Sequence, residues 1–219
     1  MRTIQCPAVT KKRILLWLGL WIVLLAIAFL VDQPVKQWLY DRHFHLEGAR
    51  IMKGTWWARG LKAIPLTGTL VCVAAALCRM NWRRALVITA CACTALLSDV
   101  IKWVAGRQRP VASDGSLTPL FDFTPFHRPP AGFAFFSGHA MLAFATAACA
   151  ARYYPRWAVP AYTLATLVAA ERVLELAHHV SDVVAAAGAG IACSLLCMKL
   201  LDTWASPPDA LPIQKEAAR

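Results

Sequence analysis

The sequence predicts an all-α protein, an integral membrane bundle of six transmembrane helices forming a single domain over residues 1–219. Three observations predict it. Hydrophobic residues make up 58% of the chain and charged residues only 16%, too little polar surface for a soluble domain of this length. The apolar residues fall into runs of about 15–20, close to what a helix needs to cross a bilayer. The arginines and lysines gather between the runs. The net charge of +11 would suggest nucleic acid in a soluble protein. Between apolar spans the same cations sort topology and meet anionic headgroups, so no nucleic-acid partner is expected.

The spans follow in order. Residues 14–31 are apolar throughout and follow Lys11-Lys12-Arg13. Ala26-Ile27-Ala28 resembles a signal-peptide cleavage site, but the run is too long for one, so a retained span is expected. Residues 32–60 mix charges with Trp38, Tyr40, Trp56 and Trp57, as an interfacial segment does. A second span covers 61–77, and Arg79, Arg83 and Arg84 mark a polar turn. A third covers 85–104. Residues 105–136 form a long loop rich in proline and glycine, of the kind that is functional or disordered. A fourth span covers 138–152, Tyr153-Tyr154-Pro155-Arg156 turns the chain, a fifth covers 157–176 and a sixth 183–201. The tail, 203–219, carries Pro207, Pro208 and Pro212 and reads as flexible. Gly188-Ala189-Gly190 follows no strand and reads as helix packing, not a nucleotide loop.

Seven of the eight cysteines, Cys72, Cys78, Cys91, Cys93, Cys149, Cys193 and Cys197, sit inside apolar runs, and Cys6 lies near the N-terminus. Cys91-Ala92-Cys93 lacks zinc spacing, so these thiols read as small hydrophobes.

Span parity locates a site. Lys102 ends span three, Ser137 to His139 begin span four, and Arg172 to Asp182 join spans five and six. Alternating crossings put all three places on one membrane face, where clustered ionisable residues mark function. Lys11, Lys12 and Arg13, with the Arg79, Arg83 and Arg84 turn, favour the inside for the opposite face, so the site is expected on the extracytoplasmic side. The cations at Lys36, Arg42, Arg50, Lys53, Arg59 and Lys62 would share that side.

On a helix, His178 and Asp182 would share a face. A carboxylate on one imidazole nitrogen fixes the tautomer and leaves the other nitrogen as nucleophile or base. Lys102, Arg107 and Arg109 suit a phosphate group. Ser137 and the Gly138 amide add hydrogen bonds at a helix start, where anions are favoured. Taken singly, Lys102 and Arg109 read as topology charges, His139 as a helix cap, and Asp99, Glu171 and Glu175 as charge balance. His178, His179 and Asp182 read as zinc ligands, but they lack a fourth member and stand among cations. Together on one face the residues point to phosphoryl transfer through a histidine, with no metal and no other cofactor.

Lys102, six residues and Arg109-Pro110 match K-x6-R-P. Ser137-Gly138-His139 match the core of P-S-G-H. Arg172, five residues, His178, three residues and Asp182 match S-R-x5-H-x3-D. In these three motifs, in this order, the chain resembles the type-2 phosphatidic acid phosphatase superfamily over residues 100–182. Two positions depart from the pattern: Phe136 stands for the proline, and Glu171 for the serine before Arg172. The resemblance implies that His178 attacks phosphorus, Asp182 orients it, and His139 protonates the leaving oxygen and then helps activate water. It implies that Lys102, Arg109, Ser137, Gly138 and Arg172 hold the phosphate. Arg107 is expected at a headgroup or loop contact, and His179 in packing or facing solvent. The expected activity is hydrolysis of a membrane lipid phosphate in the bilayer. Phosphatidic acid, phosphatidylglycerophosphate, polyprenyl diphosphate and lipid A are the candidates. The alternatives are a lipid phosphotransferase, which would need a second lipid site, and an inactive lipid-phosphate binder, which would have lost the motif residues.

Overall fold

The computed structural model of the protein describes residues 11–44, 56–112, 115–126 and 132–204. Among the described residues, six helical rods follow one another. α1 is Lys11–Phe44 and α2 is Trp56–Cys78. α3 runs as α-helix over Trp82–Cys93, tightens to a 3-10 turn over Thr94–Leu96 and resumes over Leu97–Ala105. α4 is Gly138–Tyr153, α5 is Ala158–Leu174 and α6 is Val180–Trp204. No strand occurs among the described residues; the loop between α3 and α4 holds only isolated bridges, such as Arg107 to Phe123 and Gln108 to Phe133. The expected features at Cys6, at residues 45–55 and in the tail from 205 lie outside the described residues, as do the side chains of Trp56 and Trp57.

Four rods, α1, α2, α3 and α6, are long and apolar enough to cross a membrane. α4 and α5, with 16 and 17 residues, are shorter. α4 touches α2, α3, α5 and α6. Its sequence explains the place: Ala140, Ala143, Ala145, Ala147, Ala148 and Ala150 are all buried, and small side chains let neighbouring backbones approach where lipid gives little hydrophobic drive. Large residues such as Leu15, Leu16, Trp17 and Leu30 of α1 point outward, as lipid-facing positions should.

The first expected boundary is corrected. The interfacial segment expected over 32–60 is helical as far as Phe44, a 34-residue rod with Pro34 inside it. Asp32, Lys36 and Leu39 are buried, on one stripe of the helix. These polar groups face protein. Lys36 Nζ donates to the Thr118 carbonyl at 2.8 Å and Tyr40 Oη to the Gly115 carbonyl at 3.1 Å, so the far half of α1 holds the long loop.

Two glycine contacts set how closely α6 is approached. A Cβ on Gly188 would lie 2.1 Å from the Trp21 ring of α1, whose Nε1 donates to the Val184 carbonyl at 3.3 Å. A Cβ on Gly190 would lie 2.5 Å from the Met141 carbonyl oxygen of α4. Backbone cannot move aside as a side chain tip can, so Gly190→Val should separate α4 from α6 and destabilise the bundle by about 1–3 kcal/mol. Gly19→Ala, where no heavy atom lies within 4 Å, is the control. Thermal unfolding in detergent should show a lower Tm for the first variant and no loss for the second.

Candidate active site

Each side chain of the site is placed by a helix end. Gly106 stops α3: its φ of 65° is left-handed, its N–H donates to the Lys102 carbonyl at 2.8 Å, and a Cβ there would meet Pro125 N at 2.3 Å. Both constraints call for glycine. Lys102 therefore sits in the last turn of α3, and Arg107 and Arg109 follow in the loop. Ser137 caps α4, its Oγ accepting from Ala140 N at 3.4 Å. Next to it, a Cβ on Gly138 would fall 2.9 Å from Ser98 Oγ and 3.7 Å from Lys102 Nζ; the missing side chain is what lets α3 close on α4. His139 follows, exposed at the site mouth. Arg172 sits in the last turn of α5, and the N–H groups of Ala177 and His178 both donate to the Arg172 carbonyl, at 3.2 and 3.3 Å. Leu176, at φ 53°, reverses the chain between them.

His178 is buried. Its Nδ1 lies 2.7 Å from the Ala134 carbonyl oxygen. A carbonyl can only accept, so Nδ1 carries the proton and Nε2 keeps a free lone pair. Burial pushes the His178 pKa well below 6.5, the charge of Arg109 adds to that, the Ala134 bond opposes it, and Lys102 and Arg172 lower it further. The ring is thus neutral near pH 7. Arg109, half-buried, is itself pushed down by burial and by the like charge of Arg172. Cations crowded this way suit an anion.

Asp182 departs from its expected contact. The carboxylate is 3.9 Å from His178 Nδ1, beyond hydrogen-bond distance, and the Ala134 carbonyl takes the place it was expected to fill. His178 precedes α6 instead of lying on it, so the helical i,i+4 geometry does not apply. Asp182 Oδ2 accepts from His179 N at 2.7 Å, and Oδ1 accepts from Arg107 Nη1 at 2.6 Å.

Arg107 is also corrected. It is 0% exposed, closed to a headgroup contact. Its Nη1 donates to Ser181 Oγ at 2.6 Å and its Nη2 to Asp32 Oδ2 at 2.9 Å. The Phe29 and Phe123 rings flank it, 5.2 and 5.9 Å away. His179 is buried beside it, its pKa lowered to about 4 by burial and by the Arg107 charge.

Arg172, which the resemblance places on phosphate, is held by carboxylates. It bonds Glu171 through both Nε and Nη2, and Nη2 donates to Glu175 Oε2 at 2.8 Å. Glu175 also meets Lys62 of α2 at 2.8 Å. Lys102 pairs with the more exposed Asp99 at 2.7 Å. Sequence reasoning missed Asp32, Ala134 and Ser181, and named Lys62 only as a cation on the same side. A lone carboxylate in an apolar helix was the available signal for Asp32; a backbone carbonyl leaves none.

The chain is similar to known proteins. The model of the PAP2 superfamily matches residues 83–205, more than half of the chain. A lipid A 1-phosphatase from Rhizobium etli is 33% identical over 117 residues, 53% of this chain and 50% of that protein; the chain spans about half the length of this curated relative. Among solved structures, a transmembrane PAP2-type phosphatidylglycerolphosphate phosphatase from Bacillus subtilis superposes with a TM-score of 0.52 at 20% identity, over 85% of this chain and 96% of that one. At that identity the likeness is one of fold.

The depressed His178 pKa has a direct check. Labelled His178, followed by NMR, should stay neutral at and above pH 6.5 and gain its proton only as the pH falls through the lowered pKa. Inorganic phosphate should raise that pKa by offsetting Arg109, Lys102 and Arg172. A titration near 6.5, unmoved by phosphate, would show that these cations do not act on the ring.

Proposed function

The chain belongs to the PAP2 superfamily, and we propose that it is an integral membrane phosphatase that hydrolyses a lipid phosphomonoester or diphosphate through a phosphohistidine at His178. The observation that carries this reading is the neutral imidazole of His178. It is pinned through Nδ1 to the Ala134 carbonyl at 2.7 Å, and Arg109, Lys102 and Arg172 act on it.

The chemistry runs in two steps. Lys102, Arg109 and the Ser137 and Gly138 groups at the head of α4 hold the phosphate oxygens, with Arg172 where it exchanges a carboxylate for phosphate. The Nε2 lone pair attacks phosphorus, the bond from phosphorus to the lipid oxygen breaks, and His139, which takes up a proton once the bound phosphate anion offsets Arg172 and Lys102, gives that oxygen its proton. The ring then carries positive charge, which the Asp182 carboxylate stabilises from 3.9 Å. Water, relieved of a proton by His139, attacks phosphorus, the N–P bond breaks, and inorganic phosphate leaves.

The names of the similar proteins point to lipid A bearing a 1-phosphate and to phosphatidylglycerophosphate as first substrates to try. The Arg79 and Arg84 turn lies at the end of the bundle opposite the site. Cytoplasmic loops carry excess cations, so the site is assigned to the extracytoplasmic side.

Purified protein assayed against a panel of lipid phosphates should release phosphate. His178→Ala should abolish turnover while the protein stays folded, and His179→Ala should retain it. The reverse order would overturn the nucleophile assignment. Exhaustive chelation should leave the rate unchanged, because cationic side chains carry the phosphate charge.

Glu171 stands where the family pattern has serine. Glu171→Ser should leave Arg172 with Glu175 alone and make the guanidinium more available to phosphate. The expected result is a KM lower by roughly fivefold, about 1 kcal/mol, with kcat little changed. A higher KM would mean that Glu171 holds Arg172 in its productive place.

A further inference from the structure

α1 lies wholly outside the residues that the family model matches, 83–205, yet it reaches the centre of the site through one residue. Asp32 is 1% exposed and both its oxygens are used. Oδ1 accepts from Ser181 N at 2.9 Å, and Oδ2 accepts from Ser181 Oγ and from Arg107 Nη2 at 2.9 Å. Arg107 passes the contact on, since its Nη1 donates to Asp182 Oδ1 at 2.6 Å. Asp182 in turn lies 3.9 Å from His178 Nδ1. The chain of contacts runs Asp32, Arg107, Asp182, His178, and the first three are closed to solvent.

We infer that Asp32 is a positioning residue for the phosphatase reaction: it offsets the Arg107 charge and thereby leaves the Asp182 carboxylate free to act on His178. The inference rests on the phosphatase reading above. Arg107 alone would cancel Asp182, and His178 would feel a neutral pair. With Asp32 present, two carboxylates share one guanidinium, and the three residues together carry one negative charge, while Lys36 on the α1 side donates to the Thr118 carbonyl. Charges this deep are little screened by salt, so the sum matters at His178. That negative charge supports the imidazolium-like ring that forms when Nε2 bonds to phosphorus. Asp32 also caps the first turn of α6, through Ser181 N, and so holds the backbone that carries Asp182.

The other groups acting on His178 are Arg109 from the loop, Lys102 from α3 and Arg172 from α5. Glu171 and Glu175 stand behind Arg172, and His139 opens α4 at the same mouth. On the α1 side, Lys36 and His179 line the small space that Asp32 and His178 share. None of these is altered in the test.

The test changes the buried charge in steps and keeps shape. In Asp32→Asn the three-residue sum becomes neutral, in Arg107→Gln it becomes more negative, and in the double variant it returns to the wild-type value. The acid limb of kcat/KM against pH reports the proton on His178. Removing a negative neighbour disfavours that proton, so Asp32→Asn should move the limb to lower pH, by roughly one unit. Its kcat should fall about 10- to 100-fold with KM little changed. Arg107→Gln should move the limb to higher pH, and the double variant should bring it back. NMR titration of His178 reads the same shifts without turnover, so it decides the matter even where a variant is too slow to assay. If Arg107→Gln does not fold, Asp32→Asn and the double variant carry the test. A limb and a His178 titration that Asp32→Asn leaves unmoved, whatever the loss of rate, would overturn the inference and make Asp32 a purely structural clamp. Wild-type protein inactive on every lipid phosphate would overturn the phosphatase reading instead, while the NMR shifts would still decide the Asp32 coupling.

Discussion

The structure depends on one buried guanidinium. Arg107 sits between α1, the long loop and α6, and a charge there is tolerable only when fully paired and hydrogen-bonded. Asp32 and Asp182 pair it, Ser181 takes a third bond, and Phe29 and Phe123 flank it. The loop is tied in the same way: Ala134 N donates to the Arg107 carbonyl at 2.8 Å. The Ala134 carbonyl is the group that fixes the tautomer of His178. The residue that anchors α1 to α6 is therefore also the residue whose backbone sets the imidazole. Removing a single partner of Arg107 would leave an uncompensated buried charge, and the loop and the ring would share the consequence.

His178 consequently lies between two fields of opposite sign. Behind it, Asp32, Arg107 and Asp182 leave an excess of negative charge. In front, Arg109, Lys102 and Arg172 gather around the place where a phosphate would sit. Burial, and then the front cations, depress the ring's pKa, which in the proposed reaction leaves Nε2 nucleophilic before phosphate arrives. In the proposed reaction the rear carboxylate matters afterwards, once the ring has become cationic. An anion bound in front and a cation formed on the ring would each be met by charge already in place, so little reorganisation is needed during the reaction.

Much of this was legible in the sequence, because hydropathy and charge parity act over short windows. Spans two to six were readable since each apolar run ends at charges or at proline and glycine: Arg79, Gly106, Tyr153-Tyr154-Pro155-Arg156. The same parity placed Lys102, Ser137 and His178 at one end. The end of α1 was not legible. Asp32, Pro34 and Lys36 look like an exit from the membrane, and only partners far along the chain, Arg107 and Thr118, show that they face inward. The partner of His178 Nδ1 was not legible for a related reason. The spacing is that of a helix face, but the chain between Leu174 and Val180 is a turn, and the deciding acceptor is a backbone carbonyl whose position no residue type announces.

The front of the site is less positive than its motif residues suggest. Lys62, Lys102 and Arg172 pair with Asp99, Glu171 and Glu175, and Arg109 brings the count to four cations against three carboxylates. A phosphate monoester brings up to two negative charges, so in the proposed reaction holding it well would require Arg172 or Lys102 to leave a carboxylate. That exchange makes the ground-state complex weaker than an open cluster of cations would. It also makes inorganic phosphate easier to release at the end of the cycle. Binding energy kept out of the ground state is available to the transition state, where charge on the transferring group is spread over its oxygens and the contacts are best aligned. Glu171 and Glu175, which look at first like obstacles to a phosphate site, therefore fit one that must turn over and not merely bind.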